Sequence, residues 1–262
     1  MLIIVIGEHI KMQNHKNGFT LAEGATHVNL LPTKVKFGFT LAEVLITLGI
    51  IGVVAALTIP TLITHYKKVR TVTVLKESYS IMQQAIKLSQ DDNGDVDGWD
   101  TSLNGSQFFH KYIANYVKWQ KEYTKDELNS LAPHYFLNGQ LYTRGFFDFD
   151  GVVHFSLLNG SMVSIKKLRD GMMLAIDVNE LTKPNRVGID TFFLIFTPQY
   201  GLLPWGDKGT ELADTSETYG LYDRSKVMGN GPYTCNKDKA GKWCTALIVR
   251  DGWKIADDYP WK

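Results

Sequence analysis

Gly38-Phe39-Thr40-Leu41-Ala42-Glu43-Val44-Leu45-Ile46, continuing without another charge to Ile63, is the stretch on which the fold turns. Phe39 to Ile63 spans twenty-five residues and holds one ionisable side chain, Glu43. As a helix rising about 1.5 Å per residue, this run exceeds the roughly 30 Å hydrocarbon core of a bilayer. Core helices of soluble proteins seldom run so far without charge, so the run reads as a membrane-spanning helix.

On its N-terminal side the composition is basic. Residues 1–38 carry Lys11, Lys16, Lys34 and Lys36 against Glu8 and Glu23, in a chain of 262 residues whose net charge is only +1. A basic segment ahead of an apolar run is the pattern of a membrane-targeting leader, with the lysines held on the cytoplasmic side. Gly18-Phe19-Thr20-Leu21-Ala22-Glu23 repeats as Gly38–Glu43, but only the second copy leads into an apolar run. Met12 is an alternative start.

On the C-terminal side the polarity returns abruptly at His65-Tyr66-Lys67-Lys68-Val69-Arg70. Val72, Leu75, Tyr79, Met82 and Ile86 then recur at helical spacing, so an amphipathic helix is expected to continue to about Gln90 and stop at Asp91-Asp92-Asn93-Gly94. Ser106–Tyr123 reads as a second helix with Phe109, Ile113 and Val117 on one side. Val152–Leu158 and Ser161–Lys167 read as a hairpin around a type I′ Asn159-Gly160 turn. Asp170-Gly171 turns into a strand over Met172–Asp177, and Phe192–Phe196 is a short apolar strand. Residues 198–206, crowded with Gly, Pro and Trp, read as an irregular loop. Ala246–Val249 is expected as a short helix capped by Gly252. The fold class is therefore α+β, a long N-terminal helix packed on an antiparallel sheet. Its organisation is a leader over 1–38, a membrane and assembly helix over 39–63, an amphipathic continuation over 64–90, and an extracytoplasmic domain over 91–262.

Cys235 and Cys244 are the two cysteines of the chain. In an oxidising compartment they are expected to pair; the alternative is two buried thiols in a cytosolic protein. A Cys-x8-Cys spacing without nearby histidines gives no zinc pattern.

Chemistry concentrates at the start of the span. Gly38 offers a peptidase a site with no side chain, beside the bilayer. Glu43 is costly within an apolar segment, although the first turn of a helix is where its charge is best tolerated. Cleavage ahead of Phe39 would create a positive amine within reach of that carboxylate.

Gly-Phe-Thr-Leu-x-Glu followed by an apolar helix resembles the cleavage and methylation signal of type IV prepilins and type II secretion pseudopilins. The likeness runs from Lys36 to about Leu62. It implies a pilin-like fold, cleavage between Gly38 and Phe39 by a prepilin peptidase, and N-methylation of Phe39. It also implies that Glu43 meets the amine of an adjacent pilin or pseudopilin subunit during assembly on an inner-membrane platform. Pro60 matches the family's helix-kinking proline, and Gly52 a position where such helices loosen in filaments. The location implied is the inner membrane, single-pass, with the lipid bilayer as a partner.

Further along, Asp177-Val178-Asn179, Lys183-Pro184-Asn185-Arg186-Val187-Gly188-Ile189-Asp190 and Phe192-Phe193 are similar to a major pseudopilin pattern, with Glu180 where that pattern usually has Gly. Some such loops bind calcium, and Asp177, Asn179 and Asp190 are the candidate oxygen ligands; turn hydrogen bonding is the competing reading. Asp95, Asp97 and Gly98 form part of a second calcium-like loop, but Asn104 stands where its bidentate Glu belongs.

No nucleophile elbow, phosphate loop or histidine cluster of metal-ligand spacing is present, His110, His134 and His154 being scattered, so a structural rather than enzymatic role is expected. The near-neutral charge gives no basis for a nucleic-acid partner. Two readings compete with a filament subunit: a tethered surface binding module, such as an adhesin or DNA-uptake minor pilin, and a membrane-anchored enzyme.

Overall fold

A computed structural model of the chain describes residues 38–129, 133–142, 150–207 and 223–261. The leader, its repeated segment and the alternative start lie outside these residues, apart from Gly38.

Helix α1 runs from Leu41 to Asn93 without a break at Pro60. Its two halves meet different surroundings. Leu45, Ile51, Val54, Leu57 and Leu62 are each more than half exposed. From Thr71 onward one face is buried, through Val72, Leu75, Ser78, Met82, Ala85, Ile86 and Ser89. The spacing of three and four residues is the stripe expected from sequence, with Tyr79 at its margin. Complete burial of side chains such as Leu75 and Met82 stabilises the docked half by about 1.5–3 kcal/mol each. Polar contacts fix the register: Ser78 Oγ lies 2.8 Å from Ser161 Oγ, and Tyr79 OH donates to Leu202 O at 3.1 Å.

The sheet is a six-stranded antiparallel meander in sequence order. Its strands are β1 Trp119–Glu122, β2 Val153–Leu157, β3 Met162–Lys167, β4 Met172–Asp177, β5 Thr191–Thr197 and β6 Gly201–Pro204. Every residue of β4 and β5 is buried. Because successive side chains point to opposite faces, both faces of these central strands are covered. This α+β architecture, a long helix packed on an antiparallel sheet, is the one expected.

Three local expectations are corrected. The helix expected over Ser106–Tyr123 is only α2, Gly105–Phe108, continued by a π-helical turn, Phe109–Ile113. Phe109, Ile113 and Val117 are buried as expected, but the chain then leaves the helix for the edge strand β1. The turn between β2 and β3 is not type I′, since Gly160 has φ +77° while Asn159 keeps a negative φ. Gly160 N–H donates to Leu157 O and Leu157 N–H to Ser161 O, the pattern of a type I turn closed by a left-handed glycine. Within 198–206, Gly201–Leu203 pair with β5 residues and Pro204 ends the edge strand, where its missing N–H costs nothing.

Aromatic side chains bind α2 and the π turn to the sheet. Phe109 stacks on Phe155 with centroids 4.2 Å apart, and Phe108 lies 5.3 Å from Phe196. A short helix α3, Lys125–Asn129, lies between β1 and β2, and two more complete the described chain after the sheet, α4 Arg224–Val227 and α5 Cys244–Arg250. The latter covers the expected helix, and Gly252 follows it with φ +81°. Thr245 of α5 accepts from Phe193 N–H at 3.0 Å, and Cys235 and Cys244 form the expected disulfide, with an S–S distance of 2.02 Å.

Candidate functional site

Two places carry the candidate residues. The first is the start of α1. Gly38 is exposed, and a side chain built on it would meet nothing within 4 Å. Phe39 is 86% exposed, and the bond between them lies ahead of the helix in irregular backbone. Glu43 makes a local arrangement that sequence reasoning missed. Its Oε2 accepts from Thr40 N–H at 2.8 Å and from the Thr40 hydroxyl at 2.7 Å. In return, Glu43 N–H donates to Thr40 Oγ1 at 3.2 Å. This reciprocal capping box satisfies helix-end donors that would otherwise face an apolar surrounding. The signal, Thr-x-x-Glu ahead of an apolar run, was present in the sequence. Beyond it, the most apolar stretch of α1 has a mean hydropathy of 2.3, and none of it is buried.

The second place is the loop between β4 and β5. Asp177 closes β4 opposite Thr191, the first residue of β5, and Val178 N–H donates to Asp190 O at 2.9 Å. Antiparallel pairing thus brings the two ends of the loop, and the two aspartates, side by side. Asp177 is 1% exposed and Asp190 3%. Asp177 Oδ1 accepts from Asn179 N–H at 3.1 Å, and Asp190 Oδ1 accepts from Arg186 N–H. The remaining oxygens, Asp177 Oδ2, Asp190 Oδ2 and Asn179 Oδ1, are buried atoms without a hydrogen-bond partner. Turn hydrogen bonding therefore accounts for only part of this donor set.

The electrostatics are correspondingly unfavourable for two bare carboxylates. Burial pushes Asp177 up to about 8, and the neighbouring charge of Asp190 adds to the shift. Burial likewise pushes Asp190 up to about 6, against backbone hydrogen bonds that favour its charged form. Three hard oxygen atoms, two from carboxylates, suit a calcium ion better than a softer metal. Backbone carbonyls and water would have to complete its shell.

The loop is held from several sides. Glu180, Leu181 and Asn185 take left-handed conformations, with φ of 52°, 67° and 47°. Glu180 thus adopts at this position the conformation that the glycine of the similar pattern would adopt without strain. The Glu180 carboxylate accepts from Tyr123 OH. Gly188 has φ +78°, and a Cβ there would lie 2.8 Å from Cys244 Sγ, so the disulfide packs directly on the loop. Tyr259 OH donates to Gly188 O at 2.5 Å.

The other candidates are not brought together. Asp95 and Asp97 do not join a cluster, and Asn104 instead caps α2 through Gln107. Among the described residues no group of three or more His, Cys, Asp or Glu side chains could hold a metal ion. Buried His154 Nδ1 lies 2.7 Å from Ser164 Oγ, and His110 Nε2 lies 3.3 Å from the exposed Glu122.

A family of unknown function, DUF6613, matches residues 61–262. The prokaryotic N-terminal methylation motif matches residues 33–59, which covers Gly38, Phe39 and Glu43. Neither a curated protein nor a solved structure is matched.

Proposed function

We infer that this chain, which belongs to the family of unknown function DUF6613, is a structural subunit of a type IV pilus or type II secretion pseudopilus. The observation that carries the reading is the first half of α1: a long apolar stretch, none of it buried, that begins with a methylation motif and a carboxylate. In the inner membrane that surface faces lipid; in a filament it packs against other subunits. Residues 1–38 are the leader removed by prepilin peptidase, Phe39 becomes the N-methylated terminus, and 39–63 is the span. Residues 64–90 join it to the extracytoplasmic domain over 91–262, and Pro60 sits where a kink would fall. The intact mass of the membrane-extracted chain tests this. It is expected to start at Phe39, to carry one methyl group and to lack two hydrogens for the Cys235–Cys244 bond. A mass that retains the leader would remove the filament reading.

Supporting a second feature of the same reading are the orphaned oxygens of the β4–β5 loop. Asp177, Asn179 and Asp190 would hold a calcium ion, whose charge offsets two buried carboxylates. Bound calcium is expected to raise the melting temperature of the full chain in detergent. At a hundredfold excess over its Kd the stabilisation is about 2.7 kcal/mol, or roughly 5–11 °C for a domain of this size. Asp177→Asn with Asp190→Asn should abolish the shift. A melting temperature indifferent to millimolar calcium would count against the site.

A further inference from the structure

Helix α1 changes character within a single turn. Val53–Ile63 is apolar and mostly exposed, and His65, Tyr66, Lys67, Lys68 and Arg70 follow at once. From Val44 to Lys76 the helix contains no acidic residue. Lys67 and Arg70 are exposed, and among the described residues neither they nor Lys68 pair with a carboxylate. Positions three apart share a helix face. Lys67 and Arg70 accordingly line one wall of a cleft of about 330 Å³, whose opposite side brings Lys183, Pro184 and Trp261. Asp190 is the single carboxylate in this lining; it is only 3% exposed, with Oδ1 accepting from Arg186 N–H and Oδ2 buried without a partner.

Depth decides what such a cleft can meet. If the hydrocarbon ends at Ile63, a rise of about 1.5 Å per residue puts Lys67 roughly 6 Å and Arg70 roughly 10 Å beyond it. The headgroup layer on one side of a bilayer occupies about 5–8 Å. Lys67 therefore sits at the level of the lipid phosphates and Arg70 just above it. Tyr66 and Trp261 are of the aromatic types that favour this zone. Basic side chains held at this depth attract anionic headgroups by the same Coulombic force on either side of a bilayer.

We propose that Lys67, Arg70 and Lys183 form a seat for the phosphate of an anionic phospholipid headgroup in the extracytoplasmic leaflet. The seat rests on the reading of Phe39–Ile63 as a membrane span. It holds the base of the domain against the bilayer in the unassembled protomer, and it is left behind when the subunit moves into a filament.

Native mass spectrometry of the full chain, extracted in mild detergent and offered equal phosphatidylglycerol and phosphatidylcholine, tests the seat. Wild type is expected to retain phosphatidylglycerol over phosphatidylcholine by about a hundredfold, each of the three basic residues contributing about fivefold. Lys67→Gln with Arg70→Gln should reduce the preference to about fivefold, while Lys87→Gln with Lys118→Gln leaves it intact. The preference should survive a chelator, because it depends on side-chain cations and not on a bound metal. Equal retention of the two lipids by wild type overturns the seat, as does a preference that the Lys67/Arg70 variant keeps or that a chelator removes. Recovery of the chain without detergent would instead overturn the span itself, so the two failures are distinguishable.

Discussion

Gly38→Val is expected to leave the chain uncut, with its leader attached, in the membrane fraction of cells that contain a prepilin peptidase. The fold gives no reason for the substitution to do harm. Gly38 is exposed, a Cβ there meets nothing within 4 Å, and the helix begins only at Leu41. The melting temperature should therefore match that of wild type. What changes is access. A peptidase must bring its own backbone and catalytic groups against the bond between Gly38 and Phe39, and a β-branched side chain occupies the space that glycine leaves open. Immunoblots of membrane fractions should show precursor only, against a shorter band for wild type. Normal processing of Gly38→Val would mean that Gly38 is not the recognised site.

The parts of this fold that were legible in the sequence are those with a sustained period. Val72, Leu75, Tyr79, Met82 and Ile86 repeat every three or four residues for four turns, and no strand can bury that set on one face. Met172–Asp177 and Phe192–Phe196 were legible as strands because apolar runs bounded by turns leave few alternatives; the second extends by one threonine at each end, to Thr191–Thr197. Edge elements gave no such signal. Trp119–Glu122 is half-buried at one residue and exposed at the next three, so its strand character comes from pairing with β2 and not from its own pattern. Gly201–Pro204 looks like a loop because its turn-forming residues sit on an edge that tolerates them. At Asn159-Gly160 the dipeptide announced a hairpin correctly, but the extra residue that converts the turn type is not encoded in those two letters alone.

The β4–β5 loop was legible in its polar residues and not in its energetics. Asp177 and Asp190 are thirteen positions apart, and only the antiparallel register of β4 and β5 sets them side by side. That their Oδ2 atoms end without partners depends on which backbone N–H groups the left-handed turns at Glu180, Leu181 and Asn185 present. No spacing rule conveys this. Glu43 shows the opposite case. Its capping partner Thr40 stands three positions away, and the Thr-x-x-Glu spacing ahead of an apolar run is itself the sequence form of a capping box.

The capping that Glu43 provides and the charge pairing proposed for it separate under one substitution. Glutamine retains the side-chain oxygen that accepts from Thr40, and it serves in capping boxes as glutamate does. It loses only the negative charge. If capping is all that Glu43 provides, Glu43→Gln should assemble nearly as well as wild type, and Glu43→Ala should fail through a frayed helix start. Pairing with the amine of Phe39 on a neighbouring subunit predicts otherwise. That amine is positive at neutral pH, and in a filament interior neither water nor lipid headgroups can solvate it. An amide cannot neutralise it, so the unpaired charge costs about 3–5 kcal/mol at each subunit contact. Glu43→Gln and Glu43→Ala should then both be cut after Gly38 and reach the membrane. Both should also be absent, or reduced by about a hundredfold, in the sheared-filament fraction when co-expressed with the assembly partners. Helical content of the purified chains, read by circular dichroism, should be unchanged for the glutamine variant. Filaments of normal yield from Glu43→Gln would assign the residue to capping and leave the neighbour's amine without its partner.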